Sequence, residues 1–319
     1  MFPKKIFPIF FLILSLLFTF LLLSPKPLIS PYLSVSYQNQ IHPTPTPTPF
    51  PVVTFGLVGD LGLGRFINAN ARERNDFGYS FEKISPWLLQ NDFNLANLES
   101  PIVDDCPTVY HNTFKFCGDP AFLPYLKKNK FILNLANNHI FNYGQSGFSQ
   151  TENYLDQFNI TSFYSHDPVN PYTSTTINGV SFGFLGFDFI TNPNFDTQTV
   201  VDLVKLYDPQ VDWLIVSLHW GNEYKGNPEK WRIDLAHSLV DSGADIIHGH
   251  HPHVWQEYEI YQDKPIFYSF GNFIFDQNWS KATSETNIIK LTLGKNSIRN
   301  IEKYPVQIKN NSQPVITDL

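Results

Sequence analysis

Eight residues at 246–253, IIHGHHPH, place four histidines at the end of a short apolar run. The apolar residues predict a buried strand, and Gly249 frees the backbone so that the following side chains can turn toward one point. Imidazole is the commonest metal ligand in proteins. A single histidine is more often a hydrogen-bonded core or surface residue, but four of the chain's ten within six positions favour a metal site. We therefore expect a fold in which a strand end carries metal ligands.

Strands and helices are predicted to alternate along the rest of the chain. Runs rich in β-branched and aromatic residues predict strands at 52–58, 93–98, 131–136, 211–218 and 245–247. Helices are predicted at 80–89, at 121–128, and from Pro228 to Gly243, where Asn227 can cap the first turn. A hairpin is predicted at 173–187, turning at Asn178 and Gly179, with further hairpin strands at 267–270, 287–293 and 304–308. This alternation predicts an α/β (α+β) fold in one domain over 52–319.

The polar residues of interest share one position, just past the carboxyl ends of the predicted strands. Open α/β sheets place their ligand sites there. Each residue alone has an ordinary explanation as a cap, a turn residue or a solvated side chain. Together they supply two carboxylates, an amide oxygen and several imidazoles, which suits one or two divalent ions such as Mn²⁺, Fe²⁺ or Zn²⁺; two ions about 3.5 to 4 Å apart can clamp a phosphoryl group. The set is Asp60, Glu99, Asn138, His139, His219, His250, His251 and His253.

Composition limits the partners of this chain. It has 319 residues, of which 42% are hydrophobic, and this is enough for a substantial core. The net charge of −7 offers no basic surface for nucleic acid, so we expect no nucleic-acid partner. Any polyanionic substrate has to be held by local groups.

The only two cysteines, Cys106 and Cys117, lie in a polar loop. Two isolated thiols without CxxC spacing make a poor metal site. Outside the cytoplasm they can form a disulfide worth about 2 to 4 kcal/mol. We favour the disulfide.

The amino terminus predicts a membrane anchor followed by a stalk. Lys4 and Lys5 precede an uncharged apolar run at 6–23, which as a helix nearly spans a bilayer core of about 30 Å. The lysines orient its amino end inward, and the following Ser24 and proline do not resemble a signal-peptide cleavage site. The sequence HPTPTPTPFP at 42–51 favours extended polyproline conformation, although an ordinary disordered leader remains the alternative. We expect a cytoplasmic stub and single-pass transmembrane anchor at 1–24, a Pro/Thr-rich extracytoplasmic linker at 25–51 and, beyond it, an extracytoplasmic domain at the cell membrane.

Six motifs follow one another in order between about residues 55 and 277. They are VGDLGLGR (58–65), NLESP (97–101), LANNH (135–139), SLHWGNEY (217–224), GHHPHVWQ (249–256) and YSFGNFIFDQ (268–277). In this order they resemble the CapA family of bacterial poly-γ-glutamate capsule synthesis proteins. The resemblance implies a four-layer αββα sandwich like that of the calcineurin-like metallophosphoesterases. It also implies a membrane-anchored protein that helps to make, export or anchor an anionic envelope polymer.

The same resemblance suggests roles for the residues of the first three motifs. Asp60 resembles the first-strand metal ligand, and Glu99 takes the place of the bridging carboxylate. Asn138 resembles the amide ligand. His139 resembles the histidine that protonates the leaving group in phosphoesterases.

The later motifs supply further expected ligands. His219 resembles the ligand of the fourth motif, and the last pair is either His251 and His253 or His250 with one of them. The register of that pair stays open at this level. Residues expected to form the wall or support the ligands are Asn272, Asp276 and Gln277.

Two departures distinguish the chain from ordinary metallophosphoesterases. Their first motif carries Asp-x-His, whereas Gly62 stands at the histidine position here. Their bridging residue is an aspartate in GDxxD, whereas this chain has Glu99 in NLE. One metal position is therefore poorer in ligands. This is expected for a single-ion or altered-metal enzyme, and equally for a fold retired from catalysis.

Arg65 and three aromatic residues have two interpretations each. Arg65 can grip a phosphate or carboxylate bidentately, which makes it a candidate catalytic residue beside His139, or it can form a surface ion pair. Tyr79, Trp220 and Tyr224 can stack on a ligand, but a structural role is favoured for them.

Two classes of function are compatible with these residues. The first is a metal-dependent hydrolase or transferase acting on an ester, amide or phosphoester of an envelope polymer or its lipid-linked precursor. The second is a non-catalytic accessory that binds the polymer or the subunits of a membrane synthase. The complete LANNH, HW and GHHPH motifs favour the first class, and the missing first-motif histidine favours the second.

Overall fold

The computed structural model describes residues 51–111, 113–165 and 171–317. Its strands are β1 (Val53–Leu61), β2 (Phe93–Leu98), β3 (Phe131–Asn134), β4 (Ser162–Phe163), β5 (Thr173–Ile177), β6 (Val180–Asp188), β7 (Trp213–His219), β8 (Ile246–His250), β9 (Trp255–Gln256), β10 (Glu259–Tyr261), β11 (Lys264–Phe267), β12 (Ser269–Phe270), β13 (Asn272–Ile274), β14 (Glu285–Leu293), β15 (Ile298–Lys309) and β16 (Gln313–Ile316). Its α-helices are α1 (Arg65–Arg74), α2 (Ser85–Leu88), α3 (Leu123–Lys128), α4 (Gly144–Gln157), α5 (Thr197–Tyr207), α6 (Lys230–Asp241) and α7 (Lys281–Ser284).

The predicted anchor at 1–24 and all but the last residue of the predicted linker lie outside the described residues. Within the described ranges, no helix has both the length and the apolar character that a bilayer crossing requires.

Two mixed sheets form the centre of the domain. The larger has the strand order β16-β15-β14-β1-β2-β3-β4, with β13 also paired to β1, and the smaller has the order β10-β11-β8-β7-β6-β5. In each sheet the central strands run parallel: β1, β2 and β3 in the first, and β6, β7 and β8 in the second. Such strands read as almost continuous apolar runs because both of their faces are covered.

Three hydrophobic layers hold the two sheets and their helices together. The layer between the sheets contains Phe55 and Leu95 from one sheet and Phe182 and Ile215 from the other. A second layer packs the outer face of the larger sheet against α1 to α4. A third packs the smaller sheet against α5 and α6. The predicted α/β class with two packed sheets is confirmed.

Several predicted bounds differ from the observed ones for local reasons. The helix predicted at 80–89 is instead a 3₁₀ turn at Tyr79–Phe81 followed by the four-residue α2. Pro86, in the first turn of α2, lacks a backbone N–H, so a continuous helix through this position would lose a hydrogen bond. Helix α6 begins at Lys230 rather than at Pro228, and the residue preceding its first turn is Glu229.

The predicted hairpin at 173–187 is confirmed. Strands β5 and β6 turn at Asn178 and Gly179, whose φ angles are 51° and 79°. Both residues are in the left-handed conformation that a type I′ turn requires.

The pairing of the parallel strands aligns the candidate functional residues. Asp60 of β1 pairs with Asn97 of β2 and with Asn272 of β13. His219 of β7 pairs with His250 of β8. Strands β1 and β8 continue through Asp60 and His250, so these two residues belong to the strands themselves rather than to the loops after them. The carboxyl ends of both sheets therefore present carboxylates and imidazoles at one edge of the sandwich.

Candidate metal centre

Two carboxylates are fully buried at the ends of β1 and β2. Asp60 and Glu99 both have 0% exposure. The Nδ2 of Asn97 donates to Oδ1 of Asp60 at 3.0 Å and to Oε2 of Glu99 at 3.2 Å. Among the described residues, the second oxygen of each carboxylate, Oδ2 of Asp60 and Oε1 of Glu99, has no hydrogen-bond partner. Sequence reasoning misses Asn97, whose one signal is its place in NLESP two positions before Glu99.

His253 lies between these two free oxygens. Its Nδ1 is 3.3 Å from Oδ2 of Asp60, and its Nε2 is 3.5 Å from Oε1 of Glu99. The Nδ1 also faces Oδ1 of Asn272 at 3.0 Å. Because an amide oxygen only accepts, Nδ1 carries the proton and Nε2 presents its lone pair. One ligand atom each from Asp60, Glu99 and His253 lie within 4.8 Å of one another.

His250 has both ring nitrogens engaged with the protein. Its Nδ1 is 2.8 Å from Oδ1 of Asp60, its Nε2 is 2.9 Å from Nδ1 of His248, and Nε2 of His248 is 3.0 Å from the Val58 carbonyl oxygen. Oγ of Ser217 also lies 3.2 Å from Nδ1 of His248. In this arrangement His250 orients Asp60.

His219 and Asn138 face each other across the two sheets. Nε2 of His219 is 2.8 Å from Oδ1 of Asn138, and Nδ1 of His219 is 3.4 Å from Nδ2 of Asn97. The ring of His251 lies 4.9 Å from that of His219, centroid to centroid. Nδ1 of His251 is a buried nitrogen without a hydrogen-bond partner among the described residues.

A carboxylate that sequence reasoning did not select lies beside this group. Ligand atoms of Glu223, His251 and His253 all lie within 4.8 Å of one another. Glu223 is exposed, whereas the two histidines are buried. Its signal in the sequence is its place in the motif SLHWGNEY, four positions after His219.

Burial sets the protonation of the centre. It lowers the pKa of His139 to about 4 and that of His251 to about 3, and it lowers the pKa of His219 well below the usual range. These imidazoles are therefore neutral at pH 7, which is the form that binds metals. Burial raises the pKa of Glu99 well above its usual range, and the nearby charge of Asp60 raises it further. Burial acts the same way on Asp60, but the interactions of its carboxylate with His250 and His253 outweigh it and leave its pKa low.

His139 stands at the rim with a defined tautomer. Its Nδ1 is 3.1 Å from Oδ1 of Asn142, which can only accept, so that nitrogen carries the proton. Its Nε2 lies 3.9 Å from Oε1 of Glu99. The ring packs on that of Phe116 with 4.1 Å between centroids. Backbone N–H of Phe116 donates to the same Asn142 oxygen at 2.6 Å.

The loop that carries Phe116 is closed by the disulfide between Cys106 and Cys117, with 5.8 Å between their Cα atoms. The predicted disulfide is confirmed. The disulfide holds Cys117, the residue next to Phe116. It therefore limits the movement of the Phe116 ring that packs on His139.

Arg65 is held by the protein itself. Its guanidinium pairs with Asp276 and lies 4.4 Å from the centroid of the Phe116 ring. Its side chain is 11% exposed, so this is a mostly buried ion pair rather than the surface pair considered as an alternative. The ion pair fixes the side chain of Asp276, a residue expected to form the wall of the site or to support its ligands.

The three aromatic residues differ in position. Trp220 is fully buried and its Nε1 donates to the Tyr268 carbonyl oxygen at 3.1 Å, as the structural interpretation requires. Tyr79 is partly buried under the guanidinium of Arg74. Tyr224 is 45% exposed, and its ring centroid lies 6.3 Å from that of His253 and 5.9 Å from that of Trp279, so it packs at the surface rather than in the core.

Two cavities adjoin the segment 221–226 beside the centre. One, of about 620 Å³, is lined by Phe189, Phe195, Trp231, Glu223 and His251. The other, of about 650 Å³, is lined by residues that include Tyr224, Trp255 and Lys281. The first cavity reaches His251 of the centre, whereas the second is lined by none of the predicted ligand residues.

The donor set fits a divalent ion. Three buried or nearly buried polar atoms face the cluster without hydrogen-bond partners among the described residues: Oδ2 of Asp60, Oε1 of Glu99 and Nδ1 of His251. In the described ranges the ion-pair partners of Asp60 and Glu99 are histidines. Buried charges of this kind are costly unless they are paired or coordinate a metal.

The structure brings together all the predicted ligand residues: Asp60, Glu99, Asn138, His219, His250, His251 and His253. Fold and site together define a class, a two-sheet α/β sandwich with a buried carboxylate and imidazole centre at the ends of its parallel strands. The chain belongs to the bacterial capsule synthesis protein family PGA_cap, whose family model matches residues 54–277. The resemblance to the CapA family is confirmed.

Two similar proteins are named as PGA or capsule biosynthesis proteins. The PGA biosynthesis protein CapA of Bacillus subtilis (strain 168) is 29% identical over 281 residues, covering 81% of this chain and 72% of that protein. The capsule biosynthesis protein CapA of Bacillus anthracis is 30% identical over 291 residues, covering 83% of this chain and 70% of that protein.

A solved structure shares the fold. The crystal structure of a hypothetical protein from Thermus thermophilus aligns with a TM-score of 0.54 at 12% identity, over 80% of this chain and 99% of that one. At this identity the likeness concerns the fold alone.

Proposed function

We propose that this protein is a membrane-anchored, extracytoplasmic hydrolase or transferase that requires a divalent metal. It would act in the synthesis, export or anchoring of a poly-γ-glutamate-like capsule or envelope polymer. Membership of the capsule synthesis family and the names of its relatives support the polymer. The predicted anchor and the disulfide, a bond typical of oxidising compartments, support the location.

One observation carries the proposed metal dependence. Asp60 and Glu99 are completely buried, lie close together, and each turns one oxygen without a hydrogen bond toward His253. With both carboxylates ionised, this arrangement would destabilise the fold unless a cation lay between them. The residues that would hold one or two ions are Asp60, Glu99, Asn138, His219, His251 and His253.

A bound Mn²⁺, Fe²⁺ or Zn²⁺ ion would supply Lewis acidity toward the ester, amide or phosphoester under attack. The protein's own groups orient the ligands. Asn97 holds both carboxylates, His250 holds Asp60, and Asn272 fixes the tautomer of His253 so that its Nε2 faces the centre.

His139 is proposed to handle the proton of the reaction at Nε2. Its Nδ1–H is committed to Asn142, so Nε2 is the atom that can take a proton and return it to a leaving group. Phe116 packs on the ring and limits its access to water. Because Arg65 pairs with Asp276, it would contribute positive charge and hold that residue in place rather than bind a substrate phosphate or carboxylate bidentately.

An extended substrate fits the surroundings. Cavities of about 620 and 650 Å³ are both lined by residues of the segment 221–226, and a polymer could occupy both. Lys281 lines one of them, where it pairs with Glu285 at 3.6 Å, and would exchange this partner for an anionic group of the substrate. We propose an anionic envelope polymer or its lipid-linked precursor as substrate, with subunits of a membrane synthase as partners.

The second candidate, a non-catalytic accessory of a membrane synthase, is favoured by position 62. An added Cβ at Gly62 would lie 2.5 Å from the ring of Phe275, so that ring occupies the space a histidine would need. A centre remodelled in this way could bind polymer without turning it over.

Elemental analysis of the purified protein, together with hydrolysis of a generic phosphodiester, separates the two candidates. His219→Ala should lose metal and turnover together, while His237→Ala, a histidine on α6 that pairs with Glu259, should keep both. Metal without turnover in the wild type would support the accessory. A folded wild type that takes up no metal would refute the metal-dependent enzyme.

A further inference from the structure

The centre lacks the donor that position 62 supplies in ordinary metallophosphoesterases. Phe275 fills that space, with ring atoms 2.5 to 2.9 Å from a Cβ built on Gly62. A donor that replaces the missing one must therefore reach the ligands from another element.

The loop after β7 brings such a donor. Glu223 contributes a carboxylate oxygen within 4.8 Å of ligand nitrogens of both His251 and His253. Two backbone hydrogen bonds tie this loop to residues 250–253, called here the histidine loop. Trp220 N–H donates to the His250 carbonyl oxygen at 3.1 Å, and Tyr224 N–H donates to the Pro252 carbonyl oxygen at 2.8 Å. Glu223 lies between these two attachments, so its position relative to the histidines is fixed.

The histidine loop holds an unusual backbone at this point. His251 has φ 94° and His253 has φ 55°. The left-handed region is unfavourable for residues other than glycine, and such conformations cluster where the surrounding structure imposes them at functional sites. In this loop one ring nitrogen of each histidine lies within 4.8 Å of a Glu223 carboxylate oxygen.

An independent observation points to a ligand at this place. His251 is only 6% exposed, and its Nδ1 has no hydrogen-bond partner among the described residues. A buried ring nitrogen normally finds a partner. With Glu223 and His253 beside it, the His251 ring completes a set of two imidazoles and one carboxylate, a set that holds catalytic zinc in other folds.

We propose that Glu223 is a metal ligand, binding a divalent ion together with His251 and His253 and replacing the donor lost at position 62. The inference rests on the proposed function, because it presupposes that the centre holds metal. It places a carboxylate from the loop after β7, not a histidine at position 62 just after β1, in the ligand set. It also explains how a centre with glycine at position 62 keeps enough donors.

The test is a calorimetric titration of the metal-free, full-length protein in detergent with Mn²⁺. The variants are Glu223→Gln, which keeps the shape and removes the charge, and Glu82→Gln, a matched exposed carboxylate that pairs with Lys83 away from the centre. Thermal unfolding in EDTA checks that each variant folds; Glu223 is exposed, so its replacement leaves the core intact.

Loss of an outer partner of a metal ligand already weakens binding about 10- to 100-fold, so loss of a direct ligand should cost at least that much. We expect Glu223→Gln to raise the Kd for Mn²⁺ by about 100-fold or to remove one equivalent, with Glu82→Gln unchanged. Wild-type affinity and stoichiometry in Glu223→Gln would overturn the assignment of Glu223 and leave the proposed function standing. A folded wild type that binds neither Mn²⁺ nor, in repeat titrations, Fe²⁺ or Zn²⁺ would overturn both.

Discussion

Replacement of Glu99 by glutamine should have opposite effects on the metal-free and the metal-loaded protein. Ligand atoms of Asp60 and Glu99 lie within 4.8 Å of each other at a fully buried site. With an effective dielectric constant of about 20, two unit charges at that distance repel by about 3 kcal/mol. The glutamine side chain would keep an oxygen to accept from Asn97 but carry no charge. We expect Glu99→Gln to stabilise the metal-free protein by about 1 to 3 kcal/mol, since the histidines already offset part of the repulsion.

The pH dependence has a definite sign. Burial, and after it the charge of Asp60, raises the pKa of Glu99. The folded metal-free protein therefore binds a proton at Glu99 more tightly than the unfolded chain does. The stability that protonation of Glu99 contributes is therefore lost as pH rises above the ordinary pKa of a glutamate. The gain from Glu99→Gln should be small near that pKa and should grow as the pH approaches neutrality.

Bound metal should make the wild type more stable than Glu99→Gln, the reverse of the order in the metal-free proteins. An ion at 100 times its Kd stabilises the wild type by about 2.7 kcal/mol, and the variant, which lacks one ligand charge, should gain far less. Urea unfolding of the domain 51–319, followed by tryptophan fluorescence in EDTA and in Mn²⁺, measures both effects, with Glu257→Gln as a surface control. The reasoning is refuted if metal-free Glu99→Gln is less stable than the wild type by about 1 kcal/mol or more, or if Mn²⁺ stabilises both equally.

Three further perturbations test other parts of the structure. Opening the disulfide by Cys106→Ser with Cys117→Ser should lower the free energy of unfolding by about 3 kcal/mol in urea, and turnover should fall because the loop that packs on His139 loosens. Gly62→His should destabilise the domain without improving Mn²⁺ affinity, because the Phe275 ring occupies the space; calorimetry and thermal unfolding would contradict this if both improved. Arg232→Met should lower stability by about 3 kcal/mol or more, since the buried guanidinium bonds the Tyr268 carbonyl oxygen and Oε1 of Gln256 at 3.0 Å; a chemical denaturation midpoint equal to that of the wild type would contradict it.

Much of the fold follows from the apolar pattern. The buried parallel strands β2, β7 and β8 were predicted within a few residues because their runs are apolar on both faces and end in polar residues. The hairpin at Asn178 was predictable from turn chemistry alone. The helix at 80–89 was not, because Pro86 restricts where a helix can start and tertiary packing, not propensity, stabilises the short segment that forms.

The site was predictable in its members but not in their arrangement. Asp60, Glu99 and His253 could be selected because strand ends converge in α/β sheets. The pairing of His250 with Asp60 and His248 depends on how far β8 extends, which the sequence leaves open. Asn97 and Glu223 depend on the register of β1 with β2 and on hydrogen bonds between two loops, which are contacts between distant parts of the chain.

The central claim is that the buried carboxylates and imidazoles bind a divalent ion, and His253 tests it most directly because it belongs to both ligand groups. The measurement is the number of Mn²⁺ ions bound at equilibrium by the metal-free full-length protein and by His253→Ala, with folding verified by circular dichroism. One or two ions in the wild type and none in the folded variant are the predicted result. A folded wild type that binds none, or a variant that binds as many, would contradict the account.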